Sequence, residues 1–164
     1  MTKRVVIMLL LGLLAVPSPP ALAGQGNGDA AVKRELKNMA GTWKEISRVR
    51  DGQNLPADQL GTITQDENGN AEQRAGDRFG LTYSINIDPT STPKTIDYIV
   101  SGGAMSGARP NTITGATGEA RKGIYELNGD TLRICLARPG KERPKQFVSP
   151  SGEDLVLSTY QRVK

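Results

Sequence analysis

Residues 123–137, GIYELNGDTLRICLA, constrain the fold more than any other stretch of the chain. Two alternating runs flank Asn128-Gly129, the dipeptide that most favours a two-residue type I′ hairpin turn. With that turn, Leu127 lies opposite Asp130 and Tyr125 opposite Leu132. Tyr125, Leu127, Leu132, Ile134 and Leu136 then share one face. Ile124, Glu126, Thr131, Arg133 and Cys135 share the other. One hairpin thus sets a register and an apolar side that the rest of the chain must cover.

The remainder reads as further short strands behind one small helix. Asp29 caps a helix that runs through Met39, with Val32, Leu36 and Met39 as a narrow apolar stripe. Thr42 to Arg50 is a first strand, turned at Asp51-Gly52. Pro56 keeps 55–60 out of any sheet interior. Gly61 to Gln65 is a short strand, and 66–70 is a polar turn. Residues 71–80 are ambiguous. Leu81 to Asp88 alternates cleanly, with Leu81, Tyr83, Ile85 and Ile87 on one face. A turn cluster at 88–93 leads into Thr95 to Val100, with Ile96, Tyr98 and Val100 on one face. Ser101 to Gly118 is a long Gly/Ser/Thr/Ala loop with room for a short strand near Thr112-Ile113. After the hairpin, a basic connection over 138–150 carries a short strand at Gln146–Val148. The last strand is Leu155 to Val163. Seven or eight strands at such spacing indicate an antiparallel sandwich or barrel.

The N-terminus stands apart. Lys3 and Arg4 precede the apolar run Val5 to Val16, and Ala21-Leu22-Ala23 forms a small-x-small cleavage signature. This predicts a secretory signal peptide over 1–23, a polar leader and short helix over 24–40, and the barrel domain over 41–164. The run is too short to be a stable membrane anchor. Gly24, in place of a cysteine, does not support lipoprotein processing. The protein is expected in the periplasm or outside the cell. Cleavage removes two of the 21 basic residues and none of the 17 acidic ones, leaving a net charge of +2. So small a charge gives no argument for nucleic acid.

Gly41-Thr42-Trp43, directly after a short helix, resembles the Gly-x-Trp signature that opens the barrel of lipocalins. The surrounding residues narrow the likeness. Lys44, Asp51-Gly52 and Leu55-Pro56-Ala57-Asp58 resemble the opening of a lipocalin-like domain family expanded in planctomycetes. Residues 89–97 resemble its middle segment. Gly123 to Leu127, Gly129 to Leu132, Ile134-Cys135 and 140–144 resemble its third. The resemblance covers about residues 36–162. The departure is 101–118, longer and more Gly-rich than the family needs. The resemblance implies an all-β, antiparallel up-and-down lipocalin-like barrel with one short N-terminal helix, and little chemistry. It also implies that Trp43 packs under an arginine from a late strand, for which Arg162 is best placed. A solvated terminal charge is the other reading of Arg162.

The residue inventory carries no catalytic constellation. The chain has no histidine, which removes Ser-His-Asp and Cys-His systems, and a single cysteine, which removes internal disulfides. Cys135 reads as a packed structural thiol. Asp66, Asn68, Asn70 and Asp77 partly mimic a calcium loop, but Ala71 stands where glycine belongs, and a solvated turn explains them. No metal, cofactor or enzymatic activity is expected. The 102–118 loop lacks a phosphate-binding pattern. Arg138, Lys141, Arg143 and Lys145 read as a solvated connection. Two functions remain. One is a non-enzymatic binder of a small apolar or amphipathic ligand, with Tyr83, Tyr98, Tyr125, Leu132 and Ile134 lining the barrel. The other is a filled barrel that contacts an envelope protein or glycan through 101–118 and 138–150. An interior cavity of about 300 Å³ or more favours the first; a solid core favours the second.

Overall fold

The computed structural model describes residues 25–75, 79–105 and 118–164. The signal sequence expected over 1–23 and the strand expected near Thr112-Ile113 lie outside the described residues. Helix α1 (Gln25–Met39) is followed by β1 (Gly41–Arg50), β2 (Gln53–Asn54), a 3-10 turn (Ala57–Gln59), β3 (Thr62–Gln65), β4 (Asn70–Ala75) and β5 (Phe79–Asp88). Then come β6 (Thr95–Met105), β7 (Ala120–Asn128), β8 (Thr131–Ala137) and β9 (Leu155–Arg162). β1 and each strand from β3 to β9 pair antiparallel in chain order, and β9 pairs back to β1. The result is an eight-stranded, closed up-and-down barrel of lipocalin-like type, with the two-residue β2 as an appendage of β1. Closure leaves no unpaired edges, which is how such a chain buries one face of every strand.

The helix begins four residues before Asp29 and ends where Gly41 adopts φ +123°. No other residue suits that position. Its left-handed backbone disfavours a side chain, and a Cβ there would meet Arg162 Nη1 at 3.0 Å. The expected stripe is the buried face: Met39 is fully covered, Val32 and Leu36 are half-buried, and Glu35 joins them.

Three expectations need correction. The hairpin pairs Asn128 with Thr131, Leu127 with Leu132 and Tyr125 with Ile134. Its turn is therefore Gly129-Asp130, with Gly129 at φ 57° and Asp130 outside the positive-φ region, a type II′ pattern. Asp130 is fixed there by Arg162 Nε at 3.5 Å and Lys164 Nζ at 3.1 Å. The faces survive, because moving the turn by one residue shifts each cross-strand partner by two. Second, Ser101 to Met105 continues β6 instead of starting a loop, with Gly102 to Met105 pairing with Thr82 to Phe79 of β5 past a register shift at Ser101. Third, Gln146–Val148 forms no strand. In a closed barrel both neighbours of β8 and β9 are taken, so 138–154 crosses the outside of the wall. There Phe147 and Leu157 pack on a second cluster of Ile124, Cys135, Ala137 and Leu155. The previously ambiguous 71–80 stretch supplies most of β4 and the start of β5.

β1 carries a bulge. Glu45 pairs with Tyr160 and Ser47 with Thr159, leaving Ile46 unpaired and exposed. The extra residue resets the alternation. Trp43 and Glu45 are buried before it, and after it the half-buried Arg48 and the exposed Arg50 line the barrel's cavity.

Candidate functional site

The barrel interior has two halves. Toward the helix it is solid. Trp43 Nε1 donates to Met39 O at 2.8 Å, tying the first strand to the helix C-terminus. The Arg162 guanidinium lies 4.0 Å from the Trp43 ring centroid. Its Nη1 donates to Ala40 O at 2.6 Å and its Nη2 to Asn38 O at 2.5 Å. One cation thus stacks on the indole and satisfies two carbonyls at the helix end. Glu35 accepts from Lys94 Nζ at 2.6 Å and from Tyr125 OH at 3.2 Å. Burial, followed by the Glu35 carboxylate, pushes the Tyr125 phenol far above its ordinary range. Tyr125 and Leu132 are buried in this packing and are not among the residues that line the cavity in the other half.

The other half holds a cavity of about 190 Å³. Tyr83, Tyr98 and Ile134 line it, joined by Ile63, Leu136 and Tyr160. Tyr83 and Tyr98 meet edge to face, with centroids 5.1 Å apart. Tyr83 OH donates to Gln73 Oε1 at 3.1 Å. Burial raises the pKa of all three phenols here, with Tyr160 pushed up to about 12 by burial and then by Glu45. They are neutral donors and apolar surface, not bases.

Three arginines, Arg48, Arg50 and Arg121, also line this cavity, and no Asp or Glu does among the described residues. Arg48 is neutralised. Its Nε and Nη2 donate to the buried Glu45 carboxylate at 2.7 and 2.5 Å, and Gly61 N adds a third bond to Glu45 at 3.2 Å. Although burial opposes its charge, the Glu45 bond and field raise the Arg48 pKa. Arg121 has no such partner among the described residues; its Nε reaches Ala137 O at 3.4 Å. Burial, together with the neighbouring Arg50 charge, lowers its pKa.

Elsewhere the candidate groups serve the fold. Asp66 Oδ1 accepts from the backbone of Asn68 and Asn70 at 2.9 and 2.8 Å, and these turn bonds, those of Asn70 first, hold its carboxyl below the usual range. Asp77 lies outside the described residues. Cys135 Sγ contacts Val148 O at 3.3 Å, and burial pushes the thiol up, away from reactivity. Arg138 and Lys141 meet Asp154 at 3.1 and 3.3 Å, and Arg143 meets Asp97 at 2.8 Å. Among the described residues no group of three potential metal-ligating His, Cys, Asp or Glu side chains comes together. The inward arginines are what sequence reasoning missed. Arg121 shares strand parity with Tyr125 and was legible by alternation; Arg48 and Arg50 were hidden by the bulge.

In comparisons with known proteins, no family model matches the chain, and neither a curated protein nor a solved structure matches it.

Proposed function

We propose that the chain is an exported, non-enzymatic lipocalin-like barrel of the planctomycete-type family, and that it binds a small amphipathic ligand in its open half. The observation that carries this reading is the 190 Å³ cavity in a barrel whose other half is packed solid. A well-packed interior leaves few voids larger than a water molecule. This one exceeds the roughly 150 Å³ that accepts benzene in an apolar cavity. It falls short of the ~300 Å³ set above as favouring a binder, so what it supports is narrower: a single ring or a short acyl chain rather than a long lipid. Ile63, Ile134 and Leu136 offer the apolar wall, and the tyrosines offer neutral hydrogen-bonding groups.

Native mass spectrometry of the protein from its natural host tests the reading, paired with methyl NMR of Ile63 and Ile134 during titration with benzyl alcohol. A small adduct or saturable methyl shifts are expected. A bare mass together with unmoved methyl signals overturns it. The alternative, a filled barrel acting as a protein- or glycan-contact module in the envelope, has one observation in its favour: the helix-side half is filled by its own side chains.

A further inference from the structure

The cavity's charge pattern goes beyond the need to hold an apolar molecule. Of its three guanidiniums, only Arg48 faces a carboxylate among the described residues. Arg50 and Arg121 face the same small volume and repel each other. A guanidinium removed from bulk water loses solvation that one long carbonyl bond does not replace. Arg121 is in that position, while Arg50 is exposed at the rim; two such charges on one small cavity leave a positive potential at its mouth. Neutral groups complete the surroundings. The Gln73 carbonyl is occupied by Tyr83, which leaves its amide as a donor, and Tyr160 and Ser158 sit across the cavity. The charged and neutral donors on this lining favour an incoming acceptor with negative charge. The same lining carries the aliphatic side chains Ile63, Ile134 and Leu136.

We propose that the open half of the barrel is a carboxylate site: Arg121 and Arg50 hold the acid group of a small organic acid whose apolar body packs beside Ile63, Ile134 and Leu136. The planar fork of arginine matches a carboxylate through two parallel hydrogen bonds. The volume admits one ring or a chain of similar size. Inorganic phosphate shares the charge but would leave the aliphatic wall in contact with water. The inference rests on the small-ligand reading above and adds the class of ligand.

Isothermal titration calorimetry with benzoate, benzyl alcohol and inorganic phosphate tests it on the exported chain. Benzoate is expected to bind about tenfold or more tightly than its neutral counterpart, as for a charge-assisted bond to a partly buried arginine. Raising the salt concentration should weaken benzoate and leave benzyl alcohol unmoved. In Arg121→Met the affinity ratio should fall to about one. If a thermal melt shows that variant unfolded, Arg50→Gln, at the exposed rim, should still lower the ratio several-fold. Equal binding of benzoate and benzyl alcohol overturns the carboxylate site and leaves the binder intact. Phosphate binding more tightly than benzoate overturns the organic-acid assignment. Failure of both ring compounds overturns the site and the small-ligand reading together.

Discussion

Arg162 and Arg121 are the same residue type inside the same barrel, and they do opposite things. At the helix end Arg162 meets an indole face and two carbonyls within 2.6 Å, with Asp130 at 3.5 Å. Its charge is used to hold three parts of the chain together. At the open end Arg121 reaches one carbonyl, at 3.4 Å, and shares the cavity lining with Arg50 and three tyrosines. Its charge is a cost to the empty fold. A stabilising arginine and an unspent one can thus be told apart by their partners, and the unspent one marks where a ligand would contribute.

The largest expected effect removes the interior of both halves at once. All four tyrosines are held protonated, by burial first. In the unfolded chain they ionise near pH 10. A folded pKa above the unfolded one contributes stability that is complete below about pH 10 and is lost as the pH rises through the folded value, about 12 for Tyr160. Tyrosinate absorbance should therefore appear together with loss of the β circular-dichroism signal between about pH 10 and 12. Tyrosinate that forms at pH 10 in an intact barrel breaks the picture of a closed interior.

Next in size is Trp43→Ala, which empties the solid half and orphans the Met39 carbonyl. It should cost about 3–5 kcal/mol in a denaturant melt. Arg162→Ala follows at about 2–3 kcal/mol, from the lost stack and two charge-assisted bonds. An unchanged midpoint would place Arg162 among solvated charges. The smallest effect has the opposite sign. Arg121→Met should leave stability unchanged or raise it by about 1 kcal/mol, because a poorly paired buried charge is replaced by a side chain of similar length. A loss of 2 kcal/mol or more there would make the two arginines alike and erase the contrast.

Much of the wall was legible in the chain itself. The Tyr125–Ile134 face and the helix stripe follow from alternation and i, i+4 spacing; the Trp43–Arg162 juxtaposition is only what the lipocalin resemblance implies. The turn at 129–130 was misplaced because Asn128-Gly129 is the stronger local signal. The ladder instead follows Asp130, whose partners, Arg162 and Lys164, lie more than 30 residues away. The site was less legible. Simple alternation from Trp43 turns Ser47 and Val49 inward and Arg48 outward; only the unpaired Ile46 reverses this. A bulge leaves no mark in a sequence of ordinary strand formers. Tyr125 and Leu132 had the right face but the wrong depth, since alternation says which side of the wall a residue occupies and nothing of how far along the axis a plug extends.

The Arg162 contacts also set an order of events. They reach back 122 and 124 residues to the carbonyls of Ala40 and Asn38. Pairings so distant in sequence form late, because the intervening chain must be organised before they repay its lost freedom. Until β9 is in place, the Trp43 ring lacks the Arg162 guanidinium that lies 4.0 Å from its centroid in the folded barrel. The last strand is a latch: helix end, first strand and barrel seam become fixed in one step when β9 arrives.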